Sequence, residues 1–532
     1  MFLRLVIPSN DRIILPDIHG RHPSQPQTPS LEPESPLLSR AVVPIRENGT
    51  VPPGITKPNP SFHFLVRGST GSPSLCRTIS SAMILNYPPP TLIDNGESSS
   101  RRIGRGTQRT NAIPVINRYL TDKRFKDNDV VLIVNSDDFW FQLPPELMLQ
   151  RFHALLRKNN DKLKKVYGTV EEEGTPTSDT IQKHSQRIIF GASKNCRQSR
   201  LYDPACIAVP PSTLYPDIYG PHTDRSKDKS KNRPRWLDSG VVIGLAGDMR
   251  RLYSQASQLA GHGGLAISEQ QIMTLIFGEQ EYVRELERQI SPPSQLRRLA
   301  EALGIVDRLD ISQIRLGIVP EQRYDYSMGL DYESELFFTT SYSENDIEWL
   351  YFNNITKLLS VQLEHKVPRE SRLNLPADIE GYTDTPFPRP SNNEISKTWP
   401  PYNPRVDFVP NKTWHEVPLA VNVHSTSIPA LLNINSMTVR SNSLSVWWKQ
   451  MWYHPWFRAM LRRYIRFPRG TSSAVASMLG ASEAWDMRGG VGGVWTANNE
   501  WMAWSEICEG FEEEIFGDGL GPWGSENDDD DN

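Results

Sequence analysis

Apolar residues first gather at 62–66, Phe-His-Phe-Leu-Val, and a Gly/Ser/Pro turn separates this run from a helical stretch at 74–85. A short strand at 91–93 ends on Asp94-Asn95-Gly96, a strong turn signal. The chain therefore opens as strand, helix, strand. After a basic Gly-rich loop and a helix around 113–120, five apolar residues at 130–134 stop abruptly at Asn135, Ser136, Asp137 and Asp138. That pattern predicts a strand buried on both faces that delivers polar side chains at its carboxyl end. A helix at 145–156, with Pro145 in its first turn, and strands at 187–192 and 241–245 follow. The predicted fold is α/β, a Rossmann-type mixed sheet flanked by helices, with 62–66, 91–93 and 130–134 as neighbouring strands.

Between these elements the patterning lapses. Residues 1–58 are rich in Pro, Ser and charge without apolar periodicity and read as a disordered arm. The ordered domain is expected over 59–468, interrupted by polar insertions at 168–186 and 222–235, charged amphipathic helices at 281–320 and a Pro-rich loop at 366–415. From 469 to 532 the chain turns Gly-rich and then acidic and reads as a tail.

Composition narrows the partners. A hydrophobic fraction of 38% with 14 Trp allows a sizeable core, whereas 43 Pro make that core smaller than the 532-residue chain. A net charge of -4 leaves no basic footprint for nucleic acid, and the basic run at 225–235 reads as a solvated loop. The four cysteines include no C-x-x-C pair, so any metal would need oxygen or nitrogen ligands. Cys196 and Cys206 flank a short loop and could pair in an oxidising compartment. No 18-residue apolar run supports a membrane anchor, and the first residues lack a signal-peptide pattern. Sequons at Asn48, Asn354 and Asn411 matter only if the chain enters the secretory pathway.

Candidate chemistry concentrates at four places. Asn135, Asp137 and Asp138 offer hard oxygen ligands for Mg²⁺ or Mn²⁺ at a strand end, or they simply form the turn before Pro144. Asp238 and Gly240 stand at the head of an apolar strand, where the glycine permits close backbone approach and the acid accepts hydrogen bonds, or they form a turn capping that strand. Glu269 and Gln270 open a helix, where a carboxylate serves as a base or only as an N-terminal cap. The Trp- and Arg-rich stretch 447–465 either lies on a membrane surface or closes the core, and His424 is either a structural imidazole or a metal ligand.

These segments resemble fungal glycosyltransferase-like proteins related to the glycosyltransferase domain of the procollagen lysyl hydroxylases. The similarity runs from about Phe62 to Arg466. It rests on a D-x-x-D strand end followed by W-F-Q-L-P-P-E, here Asn135-Ser136-Asp137-Asp138 and Trp140 to Glu146, and on an L-N-S-G block, here Leu237-Asp238-Ser239-Gly240. Glu269-Gln270 matches an Asp-Gln pair, Gly329 to Thr339 matches an L-D-x-x-S strand, and Asn433-Ile434-Asn435-Ser436 stands where the family has His-x-Asn-Gly. The resemblance implies a GT-A-type fold, a UDP-sugar donor and a divalent cation held by Asp138, Asn135 and Asn433. It also places Asp137, Gly240, Gln270 and Asn435 near the nucleotide sugar, and Glu269 and Asp238 as catalytic. The implied reaction is sugar transfer to a hydroxyl of an unidentified glycan or protein acceptor, in the Golgi or endoplasmic reticulum lumen. With Asn135 and Asn433 replacing Asp and His, the alternative is a weak or inactive nucleotide-binding protein that keeps the fold.

Overall fold

A computed structural model describes residues 62–523, except 69, 94–111, 124, 136–137, 172–179, 197–201, 263–266, 291–308, 369–370, 388–401, 435–440 and 467–491. The expected arm at 1–58, Asp137 and Asn435 lie outside the described residues.

In chain order, β1 (Phe62–Arg67), α1 (Pro73–Ile84), β2 (Thr91–Ile93), α2 (Ile113–Leu120) and β3 (Val130–Asn135) open the fold. Next come β4 (Phe139–Phe141), α3 (Pro145–Tyr167), the hairpin β5 (Thr169–Glu171) and β6 (Thr180–Gln182), and β7 (Ile188–Ser193). They are followed by α4 (Pro204–Ile207), β8 (Trp236–Leu245), α5 (Ala246–His262) and α6 (Glu269–Ile290). The remaining strands are β9 (Met328–Asp331), β10 (Phe337–Thr339), β11 (Ile347–Leu350), β12 (Leu419–Asn422), β13 (Leu431–Asn433), β14 (Gly493–Thr496) and β15 (Trp501–Ala503).

Eight strands form one mixed sheet in the order β15-β14-β2-β1-β3-β8-β7-β9, flanked by helices. β2, β1 and β3 are parallel neighbours, with Arg67 opposite Asn135 at the last β1–β3 rung. β8 runs antiparallel to both β3 and β7, and β15 is antiparallel to β14. The other six strands share one direction, so their carboxyl ends meet the amino end of β8 along a single edge.

The apolar runs of β1 and β3 are continuous because both faces are covered. Phe62, Phe64, Val66, Leu132 and Val134 point into one core with α1 and α3. Leu65, Val131 and Ile133 point into the other with α2, α5 and α6.

A second, three-stranded sheet, β10-β13-β4, leans over the edge and is built from the W-F-Q block and its partners. β4 is antiparallel to β13, so Phe139 lies opposite Asn433, although almost three hundred positions separate them. Gln142 is fully buried, and its amide clips the two regions together by accepting from the Ala420 N–H at 2.6 Å and donating to the Ala420 and Pro429 carbonyls.

The segment expected as a Gly-rich, acidic tail folds in part. β14 pairs in parallel with β2, and Cys508 is disulfide-bonded to Cys76 of α1. Trp504 is 1% exposed and donates to Ser80 Oγ at 2.7 Å. The Gly and acidic composition masked two three- to four-residue strands and a cluster of buried aromatic rings. The Trp-rich stretch is core rather than a membrane face. Trp448, Trp452, Tyr453 and Phe457 are buried, while Arg458 and Arg462 are ion-paired with Asp518 and Asp407. Among the described residues no helix is long and apolar enough to cross a membrane.

Candidate functional site

The edge where six carboxyl ends meet the start of β8 is the place at which an open α/β sheet presents side chains to a ligand. The ladder is irregular there. β8 pairs through Phe190–Val242 and then Gly191–Asp238, so Ser239, Gly240 and Val241 are looped out as a bulge.

Gln270 of α6 holds this bulge. Its Oε1 accepts from the Ser239 N–H at 2.8 Å and from Ser239 Oγ at 2.9 Å, while its Nε2 donates to the Leu237 carbonyl and to Thr274 Oγ1. Four bonds occupy the side-chain amide, so Gln270 shapes the edge and is already committed there. Asp238 accepts from the Gly240 N–H at 2.8 Å and is buried. A Cβ on Gly240 would stand 3.0 Å from both Asn433 Nδ2 and Asp238 Oδ1 and 3.1 Å from Phe139. The glycine expected to admit a ligand's approach is tightly packed within the chain, and a side chain there would press on Asn433, Asp238 and Phe139. That contact also brings Asp238, Gly240 and Asn433 together.

Arg67, which the sequence reading did not single out, is the charged centre of the edge. It ends β1, is 8% exposed, forms an ion pair with Glu269 and donates to the Ser239 carbonyl at 3.1 Å. Burial pushes the Glu269 carboxyl upward, and the Arg67 guanidinium only partly opposes this. Three buried polar atoms bordering the bulge have no hydrogen-bond partner among the described residues: Arg67 Nε, Glu269 Oε1 and Thr339 Oγ1. Thr339 Oγ1 faces Gly191, on the rung that Gly191 shares with Asp238. The signal for Arg67 was a basic residue ending an apolar strand; Thr339, which closes β10, carried no signal.

Asp138 behaves differently from its expected role. Its main chain lies beside Asn433, accepting from the Ile434 N–H at 3.0 Å. Its carboxylate, however, belongs to α1. Arg77 Nε donates to Oδ1 at 2.7 Å, Ser74 Oγ donates to Oδ2 at 2.9 Å, and Trp140 Nε1 lies 3.3 Å from Oδ1. The residue is 1% exposed and holds a φ of 56°, a left-handed backbone conformation that Asp tolerates better than most residues.

Divalent cations of this class need several free oxygen ligands, preferably charged. Of the expected metal ligands, Asn135 and Asn433 are neutral and the one acid is neutralised by Arg77. No group of three or more His, Cys, Asp or Glu side chains among the described residues is arranged to hold a metal. Among the described residues, the expected ligands therefore offer a Mn²⁺ or Mg²⁺ ion no free carboxylate.

Two further motif residues prove architectural. Asp331, the acid of the L-D-x-x-S block, accepts from the backbone N–H groups of Glu335, Leu336 and Phe337 at 2.7 to 3.0 Å. It thereby turns the chain from β9 into β10, and burial pushes its carboxyl up to about 7 despite those donors. His424 packs edge-on against Tyr219 beside Asp346, and burial lowers its imidazole to about 4, so it is neutral at physiological pH.

The sequence matches no protein-family profile and no curated protein.

Proposed function

We propose that this chain is a glycosyltransferase-like protein of the GT-A type that binds a nucleotide sugar at the carboxyl edge of the large sheet. In this reading no divalent cation is held by Asp138. The observation that carries it is the trio of partnerless buried polar atoms, Arg67 Nε, Glu269 Oε1 and Thr339 Oγ1, around the β8 bulge. Buried polar atoms normally find partners, so a group of them at a sheet's binding edge calls for a polar ligand. A sugar diphosphate supplies both kinds of partner: anionic oxygens for the guanidinium, and hydroxyls for the carboxylate and the threonine.

The Arg77–Asp138 pair favours binding over metal-dependent transfer of the sugar to a glycan or protein hydroxyl. The side chains are used by position. Arg67 neutralises negative charge, Glu269 accepts from sugar hydroxyls, and Gln270 keeps Ser239 and Gly240 in place.

Calorimetric titration of the full chain with UDP and UDP-sugars, with Mn²⁺ or with chelator, tests this. Binding of equal strength in both conditions is expected. Binding that requires Mn²⁺ would refute the metal-free form, and no binding in either condition would refute the nucleotide-sugar reading. Thr339→Val sharpens the test. The lost hydroxyl has no partner in the free protein, so stability is expected to be unchanged or slightly raised, while sugar-nucleotide affinity falls about tenfold, the scale of one net hydrogen bond.

A further inference from the structure

We propose that Asn354 and Asn411 carry N-linked oligosaccharides in a chain that matures in an oxidising secretory lumen; the nucleotide-sugar reading has no part in this inference. Both are sequons with Thr in the third position, Asn354-Ile355-Thr356 and Asn411-Lys412-Thr413.

The folded chain leaves both acceptors open. Asn354 is exposed and caps the helix Ile355–Glu364, with Oδ1 accepting from the Lys357 N–H at 3.0 Å. The cap uses only the amide oxygen. Among the described residues Nδ2, the atom that is glycosylated, has no hydrogen-bond partner, so the cap and a glycan are compatible. Asn411 is exposed in an irregular segment and makes no side-chain hydrogen bond among the described residues. The two sequons lie on neighbouring segments, joined where the Asn353 N–H donates to the His415 carbonyl at 3.2 Å.

The cysteines supply an independent observation. All four are paired, as Cys76–Cys508 and Cys196–Cys206, with no free thiol. Disulfides persist in oxidising compartments and are rare where glutathione keeps thiols reduced. The helix that Asn354 caps also exposes an apolar stripe at a spacing of four, with Ile355 69%, Leu359 55% and Leu363 80% exposed. A glycan on Asn354 stands at the head of that stripe.

In the transfer, asparagine Nδ2 attacks the anomeric carbon of a lipid-diphosphate-linked oligosaccharide. The new N–C bond replaces the C–O bond to phosphate, the amide gives up one proton, and the lipid diphosphate leaves with the electron pair.

The test uses the full chain isolated without reductant from the cells that make it. Peptide N-glycosidase treatment in heavy-oxygen water, followed by peptide mapping, should convert Asn354 and Asn411 to heavy-oxygen-labelled aspartate and recover both disulfide-linked peptide pairs. Asn354→Gln and Asn411→Gln should each remove one oligosaccharide from the intact mass. Unmodified asparagine at either position, or free thiols at Cys76 and Cys508, overturns the proposal.

Discussion

Asp138→Asn separates a structural acid from a metal ligand. The substitution keeps the side-chain shape and a residue type that accepts the positive φ of 56°, so backbone strain is not added. What it removes is the charge facing Arg77. Asp138 is 1% exposed and the Arg77 side chain 9% exposed, so the guanidinium is left without its counter-charge and with little access to water. Removing one partner of a buried ion pair costs about 3 to 5 kcal/mol. The Ser74 hydroxyl, 2.9 Å from Oδ2, can rotate to accept from the new amide, which limits the additional hydrogen-bond loss and points to the low end, about 3 kcal/mol. With a urea dependence of at least about 3 kcal/mol per M for a chain of this size, the unfolding midpoint should fall by up to about 1 M. Removing the stranded charge as well, in Arg77→Met with Asp138→Asn, should recover part of the loss, because the cost comes mainly from the unpaired guanidinium. Equilibrium denaturation with fluorescence detection reads both variants. If Asp138→Asn unfolds at the wild-type midpoint and abolishes Mn²⁺-dependent UDP binding, the acid is a ligand and the structural assignment fails.

Three further outcomes follow from the packing. Cys508→Ser, with Cys76→Ser to avoid a free thiol, should cost about 2 to 5 kcal/mol because the bond closes a loop with a sequence separation of 432 residues; denaturation of wild type with and without reductant gives the same comparison. Gly278→Ala should destabilise by about 1 to 3 kcal/mol despite the better helix propensity of Ala, since a Cβ there would run into the backbone of Ala205 in α4; a stabilised variant in thermal unfolding would show that this contact relaxes freely. His184 lies between Asp325 at 2.7 Å and Glu287 at 2.8 Å; burial alone would lower its pKa, but these two hydrogen-bonded carboxylates raise it above the ordinary value. Its stabilising contribution is therefore full below about pH 6.5 and lost as pH rises through the raised folded value. The stability gap between wild type and His184→Gln should narrow from pH about 6 to pH about 9, and a gap that widens would reverse the assigned sign.

The sheet was legible wherever one physical cause dominated the sequence. β1, β2 and β3 are buried on both faces, so each is dominated by apolar residues, with His63 and Thr91 as the polar exceptions inside the expected spans, and 62–66, 91–93 and 130–134 are met within a residue of the observed ends. Elements with mixed causes were truncated. α3 continues from Leu156 to Tyr167 on a solvated Lys- and Asn-rich surface, where apolar periodicity fades although the helix does not. β8 begins at Trp236 rather than Val241, because Asp238, Ser239 and Gly240 form a bulge whose polar pattern reads as loop. The second sheet left no periodic signal, since its three-residue strands β4, β10 and β13 are too short for any period to emerge; only the resemblance marked a strand block at 329–339.

The candidate site was legible as a location but not as chemistry. Strand-end polarity pointed to Asn135 at the end of β3, the resemblance supplied Asn433, and the structure sets Asn135 opposite Arg67 and Asn433 beside Gly240. Whether an acid there is free or spent depends on a partner from another element. Asp138 is spent on Arg77, 61 positions earlier on α1, and Glu269 on Arg67, 202 positions earlier at the end of β1. Neither pairing leaves a local pattern, since α1 reads as an ordinary buried helix and Arg67 as the last residue of a strand. The difference between the two acids decides their roles. Both Asp138 oxygens accept hydrogen bonds from protein donors, whereas one oxygen of Glu269 and Nε of its ion-pair partner Arg67 have no hydrogen-bond partner among the described residues. Arg67 and Glu269 also form a buried ion pair, so at this edge Thr339, whose hydroxyl has no partner among the described residues, rather than the Asp138 turn, is where a substitution should change binding without first changing stability.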